Sequence, residues 1–424
     1  MASVDRYKVH QPKYGSHINS KNLSIVKRYN KSFNALGGST FGSGNPDMVT
    51  IIQDFDLKEG SSTKLTADFK LNTSAGYTGG VKFSGGGFAT LRALKINFNG
   101  QYFCDQNGHV ANVVQLVRNL YQGQAEYEQT KLSSLEDQNL VTVAGQTLQL
   151  ELDLGLAGSE LHKFLMTGGG VGKLEISIQF ETRLERVFWG AEDAGETVNG
   201  YTLTNCKISS DMITYDAKVQ EQYHNTYKSK TGIEFPTFAY SATPLQLQAA
   251  ATHHIMQPQI QARNLTNTWI LPIPTSPDKN NSGISTVDIV ANSTYTNKNY
   301  PKNFKLKLNG VYVNPRSTDG ASGKAVLYNG ALKTAFKNPD EREVAWNLTQ
   351  KFKTDDYQVL AASFLRGNEL SPFIINNGMS TFQSNNQLDL EFDTEAVETT
   401  KSVLVINQYT AILSIDASGT YVRK

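Results

Sequence analysis

Leu94 to Phe103 reads LKINFNGQYF, and Phe304 to Val313, 210 residues further on, reads FKLKLNGVYV. In each, apolar and polar residues alternate, the two-residue period of a strand with one buried face. Each then reaches Asn-Gly, the pair that accepts the positive φ angles of a tight hairpin turn, and an aromatic strand start follows. Two further pairs keep the same order. Ser159-Glu-Leu-His-Lys with Gly168 is matched by Ser371-Pro-Phe-Ile-Ile with Gly378 at an offset of 212, and LEISI from Leu174 by LDLEF from Leu388 at an offset of 214. Three motifs at nearly one spacing are the mark of a tandem duplication. The period is far longer than the roughly 20–50 residues of a solenoid, so the unit repeated is a whole domain.

Working outward, strands dominate. Leu65 to Leu71 (LTADFKL), Leu148 to Leu154 (LQLELDL) and Leu174 to Phe180 (LEISIQF) all alternate, and Tyr201 to Ile208 and Ser402 to Tyr409 read as the strands that close each half. Helices are few and short. Val110, Val113, Val114, Val117 and Tyr121 follow a 3.6-residue stripe after Gly108, Ser159 to Gly168 reads as a capped helix of one or two turns, and Asn338-Pro-Asp-Glu opens another over Val344, Leu348 and Phe352. Composition agrees. Of 424 residues, 39% are hydrophobic, enough for a large core, while 19% are charged, against about 25% in ordinary soluble domains. The expected fold is all-β: two tandem eight-stranded β-sandwiches with a few short helices, over residues 48–225 and 226–424.

Charge is nearly balanced, with 40 Lys and Arg against 39 Asp and Glu, which argues against a nucleic-acid-binding protein as a whole. It is not evenly spread. Arg6, Lys8, Lys13, Lys21, Lys27, Arg28 and Lys31 face Asp5 alone in the first 35 residues, so residues 1–47 read as a basic, extended N-terminal arm ending in a glycine-rich turn. The start of the chain lacks the apolar stretch of a signal peptide, and no run of about 18 apolar residues is present, so neither secretion by that route nor a membrane span is expected. Cys104 and Cys206 have no CxxC neighbour and read as two reduced, buried thiols. Residues 276–301 and 314–323 are polar and turn-rich, as exposed loops are, and the first of them is the candidate outward-facing decoration.

The duplicated arrangement resembles the double jelly-roll major capsid proteins, the group of tailless icosahedral DNA phages, virophages and adenovirus hexons. The resemblance covers residues 48–424 and rests on the paired Asn99-Gly100 and Asn309-Gly310 turns, the paired strands at Leu174 and Leu388, and the paired closing strands. It implies two upright jelly rolls per chain and a homotrimer whose six wedges form a pseudo-hexamer that tiles an icosahedral shell around a DNA genome. It also implies contacts with neighbouring capsomers and with vertex (penton) and minor capsid proteins, in a virion assembled inside the host cell. The basic arm would then lie on the inner side, against viral DNA or an internal membrane. A carbohydrate-binding β-sandwich, such as a phage spike or receptor-binding module, is the alternative, although such a protein has no need of two matched copies.

No cofactor, metal site or catalytic residue is expected. Gly168 to Lys173 superficially resembles a phosphate-binding loop, but Thr167 and Leu174 break the pattern and a strand follows instead of a helix. His253 and His254 are adjacent, and neighbours on a strand point to opposite faces, so they do not converge on one ion; no carboxylate stands near them in sequence. Cys104, Asp105 and His109 fit no ligand spacing, and the segment reads as a turn before a helix. Glu151, Asp153, Glu175 and Glu181 fall on polar strand faces, where a pair of carboxylates would be needed for glycoside cleavage. Asn264-Leu-Thr and Asn347-Leu-Thr read as chance matches to the glycosylation triplet. A tandem cupin-type enzyme would need clustered histidines, and the seven present are scattered.

Overall fold

The computed structural model describes residues 25–54, 57–77, 79–83, 86–106, 111, 129–130, 132–135, 138–141, 145–152, 154–155, 164–166, 172–189, 197–230, 232–247, 251–257, 262, 264–273, 302–312, 360–364, 387–393 and 401–423. The first half runs β1 (Ile25–Leu36), β2 (Phe41–Gly42), β3 (Asp47–Ile52), β4 (Leu57–Thr73), β5 (Lys82–Phe83), a single 3-10 turn (Gly87–Thr90), β6 (Leu91–Phe98), β7 (Gln101–Gln106), β8 (Thr147–Glu151), β9 (Phe164–Met166), β10 (Leu174–Phe180), α1 (Leu184–Val187), β11 (Phe188–Trp189) and β12 (Val198–Tyr215). Helix α2 (Ala217–Tyr227) follows, its first turn capped by Asp216, whose carboxylate accepts the Lys218 N–H at 2.9 Å. The second half runs β13 (Ile233–Leu247), β14 (His253–Met256), β15 (Leu265–Ile273), β16 (Lys302–Leu308), β17 (Val311–Tyr312), β18 (Leu360–Ser363), β19 (Leu388–Asp393), β20 (Lys401–Asp416) and β21 (Gly419–Arg423).

Pairing makes the duplication explicit. In the first half the strands lie in the orders β1-β12-β4-β8 and β3-β10-β6-β7; in the second they lie in the orders β13-β20-β15-β18 and β14-β19-β16-β17. Eight strands of one half thus match eight of the other, position for position, and every pair is antiparallel. The two layers of the first half are joined by β1, whose residues up to Asn34 pair with β12 while Ala35 and Leu36 pair with Thr50 and Val49 of β3. This is the fold expected from the sequence, two tandem jelly-roll sandwiches with few and short helices.

The alternating residues fill the core as their period requires. Leu174, Ile176, Ile178 and Phe180 are all buried, as are Leu94, Ile96 and Phe98 on β6 beside them and Leu65, Ala67 and Phe69 on β4. Phe69, Phe83, Phe188 and Tyr201 form one aromatic cluster, with ring centroids 4.9 Å apart for Phe69 and Phe83, 5.7 Å for Phe83 and Phe188 and 5.8 Å for Phe188 and Tyr201. Tyr201 is buried, yet its hydroxyl is satisfied by donating to the Glu181 carbonyl at 2.8 Å. Burial, reinforced by the charge of Glu181, holds that phenol well above the ordinary tyrosine range.

Both Asn-Gly turns take the backbone the hairpin demands, with φ of 50° and 85° at Asn99 and Gly100 and of 51° and 78° at Asn309 and Gly310. Each asparagine also clasps the strand that lies beside its own. The Asn99 N–H donates to the Lys173 carbonyl at 3.2 Å and its side-chain oxygen accepts the Lys173 N–H at 2.9 Å. Asn309 does the same with Gln387, at 2.9 and 2.8 Å. One clasp, built twice, is what the repeated dipeptide encodes.

Four expectations need correction. Ile25–Leu36 is a strand of the first sandwich and not part of an arm, and Asn45 and Ser39 also bond to this half, through Gly42 and Cys206. Glu181 does not sit on a polar strand face: it is buried beyond the end of β10, and its carboxylate accepts the Thr182 and Arg183 N–H groups at 3.0 Å each. The expected division at residues 225 and 226 falls within α2. The helix expected over Ser159 to Gly168 also needs correction, because Phe164–Met166 is strand β9, paired with Leu57 to Glu59 of β4 in the sheet ladder rather than wound into a helical turn. Of the other expected helices, Ala111 is helical and buried, while the rest of the 110–121 stripe, the helix at 338–352, the Ser371–Gly378 motif and the loops at 276–301 and 314–323 lie outside the described residues. No helix among the described residues is long and apolar enough to cross a membrane.

Candidate assembly surfaces

Of the basic residues singled out in the sequence, Arg6, Lys8, Lys13 and Lys21 lie outside the described residues. Lys27, Arg28 and Lys31 are exposed on β1, over a stretch that pairs with β12 alone among the described strands. Register puts Lys27, Tyr29, Lys31 and Phe33 opposite Thr214, Met212, Ser210 and Ile208, and Met212, Ser210 and Ile208 are buried, so these lysines belong to the inward row. Their long stems let the ammonium groups leave at the rim. Lys31 pairs with Asp54, and Lys27 lies 4.7 Å from the centroid of the Tyr29 ring. Inward charges on an edge strand are a known guard against unwanted strand addition.

The outer face of the β14-β19-β16-β17 sheet carries a charged ladder that the sequence reading passed over. Glu391 of β19 sits at its centre with its side chain 11% exposed, paired with Lys307 and, at 3.6 Å, with Lys305, both from β16. Lys307 also stands 4.7 Å from the centroid of the Tyr312 ring on β17. On the other flank His253 of β14 meets Asp393 at 2.7 Å and Glu391 at 3.9 Å. Hydrogen bonding and charge from Lys307 hold the Glu391 carboxyl below its ordinary range, and the same contact raises the Lys307 ammonium. The signal lay in the polar positions of the two strands quoted for their apolar ones, FKLKL and LDLEFD, whose lysines and carboxylates become cross-strand neighbours. First-half counterparts carry little charge: Gln179 donates to Asp47 at 3.2 Å where Asp393 meets His253.

The chemistry considered from sequence is not brought together. His253 is exposed and His254 is buried against the Phe392 ring, 5.3 Å between centroids, so the pair does point to opposite faces. The expectation that no carboxylate neighbours them fails for His253, because β19 returns Glu391 and Asp393 from far along the chain; Glu391 is engaged by Lys305 and Lys307 as well, and no cluster able to hold a metal exists among the described residues. Burial, and then the charge of His253, lower the pKa of His254. Glu151 faces Lys64 in one layer and Glu175 stands between Ile51 and Asn97 in the other, so these two carboxylates do not form a catalytic pair; Asp153 is outside the described residues, as is His109. Cys104 and Cys206 are buried free thiols, the second pushed up to about 12 by burial and by Asp68. Lys173 leads into β10, and Gly172 leaves room for the Asn99 side chain, which an added Cβ would meet at 2.4 Å. Asn264 is buried, where no glycan could be attached to a folded chain.

A larger surface distinguishes the halves. β13 is buried on both faces, with Ile233, Glu234, Phe235, Thr237, Ala239 and Tyr240 all covered, and part of the cover comes from the first half. The Phe238 N–H donates to the Gly155 carbonyl at 2.6 Å, and an added Cβ on Gly155 would lie 2.4 Å from the Phe238 oxygen and 2.9 Å from the Cys104 sulfur of β7. Asn99, at the β6–β7 turn, donates to Thr420 of β21 at 3.1 Å. β1, the counterpart of β13, is more open: Lys27, Arg28, Asn30, Lys31, Ser32 and Asn34 are exposed.

No protein-family model and no curated protein sequence matches this chain. Solved structures do. PBCV-1 VP54, as fitted into a cryo-EM reconstruction of the virophage Sputnik, superposes with a TM-score of 0.64 over 96% of this chain and 98% of its own, at 10% identity. The Faustovirus major capsid protein gives 0.61 over 98% and 94% at 8% identity, and the chain of the Sputnik virophage cryo-EM structure 0.58 over 94% and 88% at 10% identity. At such identity the likeness is one of fold, and it extends over nearly the whole length of both partners.

Proposed function

We propose that this chain is a major capsid protein, a structural subunit without catalytic activity that self-associates as homotrimers and tiles the icosahedral shell of a virion, assembled inside the host cell around a DNA genome. The observation that carries the proposal is the eight-strand order repeated in both halves, in a chain whose whole length shares its fold with the Faustovirus major capsid protein. A protein made of two like wedges closes a ring when three copies supply six, and closure covers edges that a lone chain leaves open. The working division places the first roll from Ile25 to Tyr215 and the second from Ile233 to Asp416, with residues 1–24 ahead of both. Arg6, Lys8, Lys13 and Lys21 would then give that leading segment a salt-sensitive attraction to the phosphates of viral DNA or of an internal membrane. Neighbouring capsomers, vertex proteins and minor capsid proteins are the remaining partners.

Light scattering on the purified chain, followed by negative-stain imaging, tests the proposal. A particle of three times 46.7 kDa with a hexagonal outline is the expected result. A monomer at every concentration would overturn it.

A further inference from the structure

We propose that β14 is an acid-released edge strand, with proton uptake by His254 freeing His253 to Met256 from β19. Release is a property of the single chain and does not depend on assembly. The duplication shows what is unusual here. LEISIQ from Leu174 and LDLEFD from Leu388 align β10 with β19. In the ladders built on them, Met48 stands opposite Ile178 and His254 opposite Phe392, so the two residues occupy one position in the two halves. Both are buried, at 1% and 5% exposure. A thioether stays neutral at every pH, whereas an imidazole takes up a proton close to neutrality. The second half thus places a titratable ring where the first half keeps an inert side chain.

Surroundings decide what the proton does. His254 packs against the Phe392 ring, in an inward row where Phe392, Leu390 and Leu306 are fully buried. Among the described residues, the charged groups nearby lie on the outer face: His253 on the same strand, Asp393 and Glu391 on β19, and Lys305 and Lys307 on β16, with Lys302 opposite Asp393 in register. Asp393 and the Ala251 carbonyl favour an imidazolium at His254, but burial and the charge of His253 outweigh them. His253, which meets Asp393 at 2.7 Å, tightens the same strand when it is protonated. That pair is exposed, and an exposed ion pair contributes little beside the cost of a charge enclosed in an apolar core. The inward histidine therefore sets the sign. β14 also offers the protonated chain a local way out. It has four residues and pairs with β19 alone among the described strands, whereas β3 is held by β10 on one side and by Ala35 and Leu36 of β1 on the other. Opening β14 lets His254 reach water without unfolding the rest. It leaves the backbone edge of β19 and the Phe392 ring open to an added strand or an apolar surface.

Hydrogen exchange on the parent chain, with rates corrected for the pH dependence of free amides, tests the inference. Between about pH 7.5 and about pH 5.5 the protection of His253 to Met256 should fall roughly five- to tenfold. Tenfold is the limit for an imidazole of pKa about 6.5 in the open strand that the closed strand keeps neutral. Asp47 to Ile52 of β3, the counterpart, should keep its protection within about twofold. Unchanged protection of β14 overturns the inference. So does an equal loss over β3, β10 and β20, which is unfolding of the whole and not release of one strand. His254→Met, which copies the first half, should hold protection at the lower pH within about twofold of its value at the higher, while His253→Gln should keep the fall seen in the parent chain. A fall that survives His254→Met, or one that His253→Gln abolishes, assigns the proton elsewhere and overturns the inference as well. Should His254→Met misfold, the contrast between β14 and β3 in the parent chain decides by itself.

Discussion

Asn99 and Asn309 show how much one side chain can specify. Each holds a positive φ, a conformation that costs most L-residues about 1–2 kcal/mol and asparagine less. Each also returns a side-chain oxygen to the neighbouring strand's N–H. Asn309→Ala removes both advantages at once, so we expect a loss of about 1–3 kcal/mol in chemical denaturation. Asn309→Gly keeps the turn and loses only the clasp, so it should cost about 0.5–1.5 kcal/mol less than alanine does. Equal losses for the two variants would mean that the turn angle contributes nothing. The turns were legible in the sequence because Asn-Gly is a local signal. Gly172 and Gly155 were not, because what demands a glycine there is a partner 73 residues away in one case and in the other half of the molecule in the other: Asn99 and Phe238.

At the scale of elements, β1 and β19 explain what the sequence concealed. Ile25–Leu36 hides its strand period because Lys27 and Lys31 stand in the inward row between Tyr29 and Phe33, and a reading by hydrophobic alternation sees only a basic tail. An edge strand can carry such residues because its rim is open, as the Lys31 pairing with Asp54 shows. The ladder on β19 was hidden differently, since cross-strand partners Lys305 and Glu391 are 86 residues apart in the chain. The two faces of this sheet make stability acid-sensitive in two windows. Folding depresses the pKa of buried His254, so its contribution is complete above about 6.5 and is lost as pH falls below that value, where the unfolded chain takes up the proton first. Folding also depresses Glu391, whose contribution is complete above about 4.5 and is lost as pH falls further. We expect the melting temperature to fall in both windows, His254→Phe to flatten the upper one, and Glu391→Gln to lower stability at neutral pH while flattening the lower one. A melting temperature constant from pH 7 to 5 in the parent chain would contradict the assignment to His254.

For the whole molecule, the repeated order of strands was legible because three motifs recur at nearly one offset, while the point at which the first roll begins was not. That point decides what a truncation does. Treating residues 1–47 as an arm predicts that deletion of Met1 to Leu36 spares the fold. The pairing of β1 with β12 from Ile25 to Asn34 predicts the opposite, because deletion strips the central strand β12 of one neighbour and uncovers Ile208, Met212 and Tyr215. It also removes buried Phe33, a change that alone costs about 3–5 kcal/mol when a core phenylalanine is cut to alanine. The deletion through Leu36 should therefore yield aggregated or markedly destabilised protein, whereas deletion through Ser24 keeps every described strand of both sandwiches. Comparing the two by circular dichroism and thermal melting separates the roles of the segments. If the shorter deletion melts like the parent chain yet its shells package less nucleic acid, the basic residues ahead of Ile25 act on the genome. If it packages normally, the attraction to phosphate must be sought elsewhere in the chain.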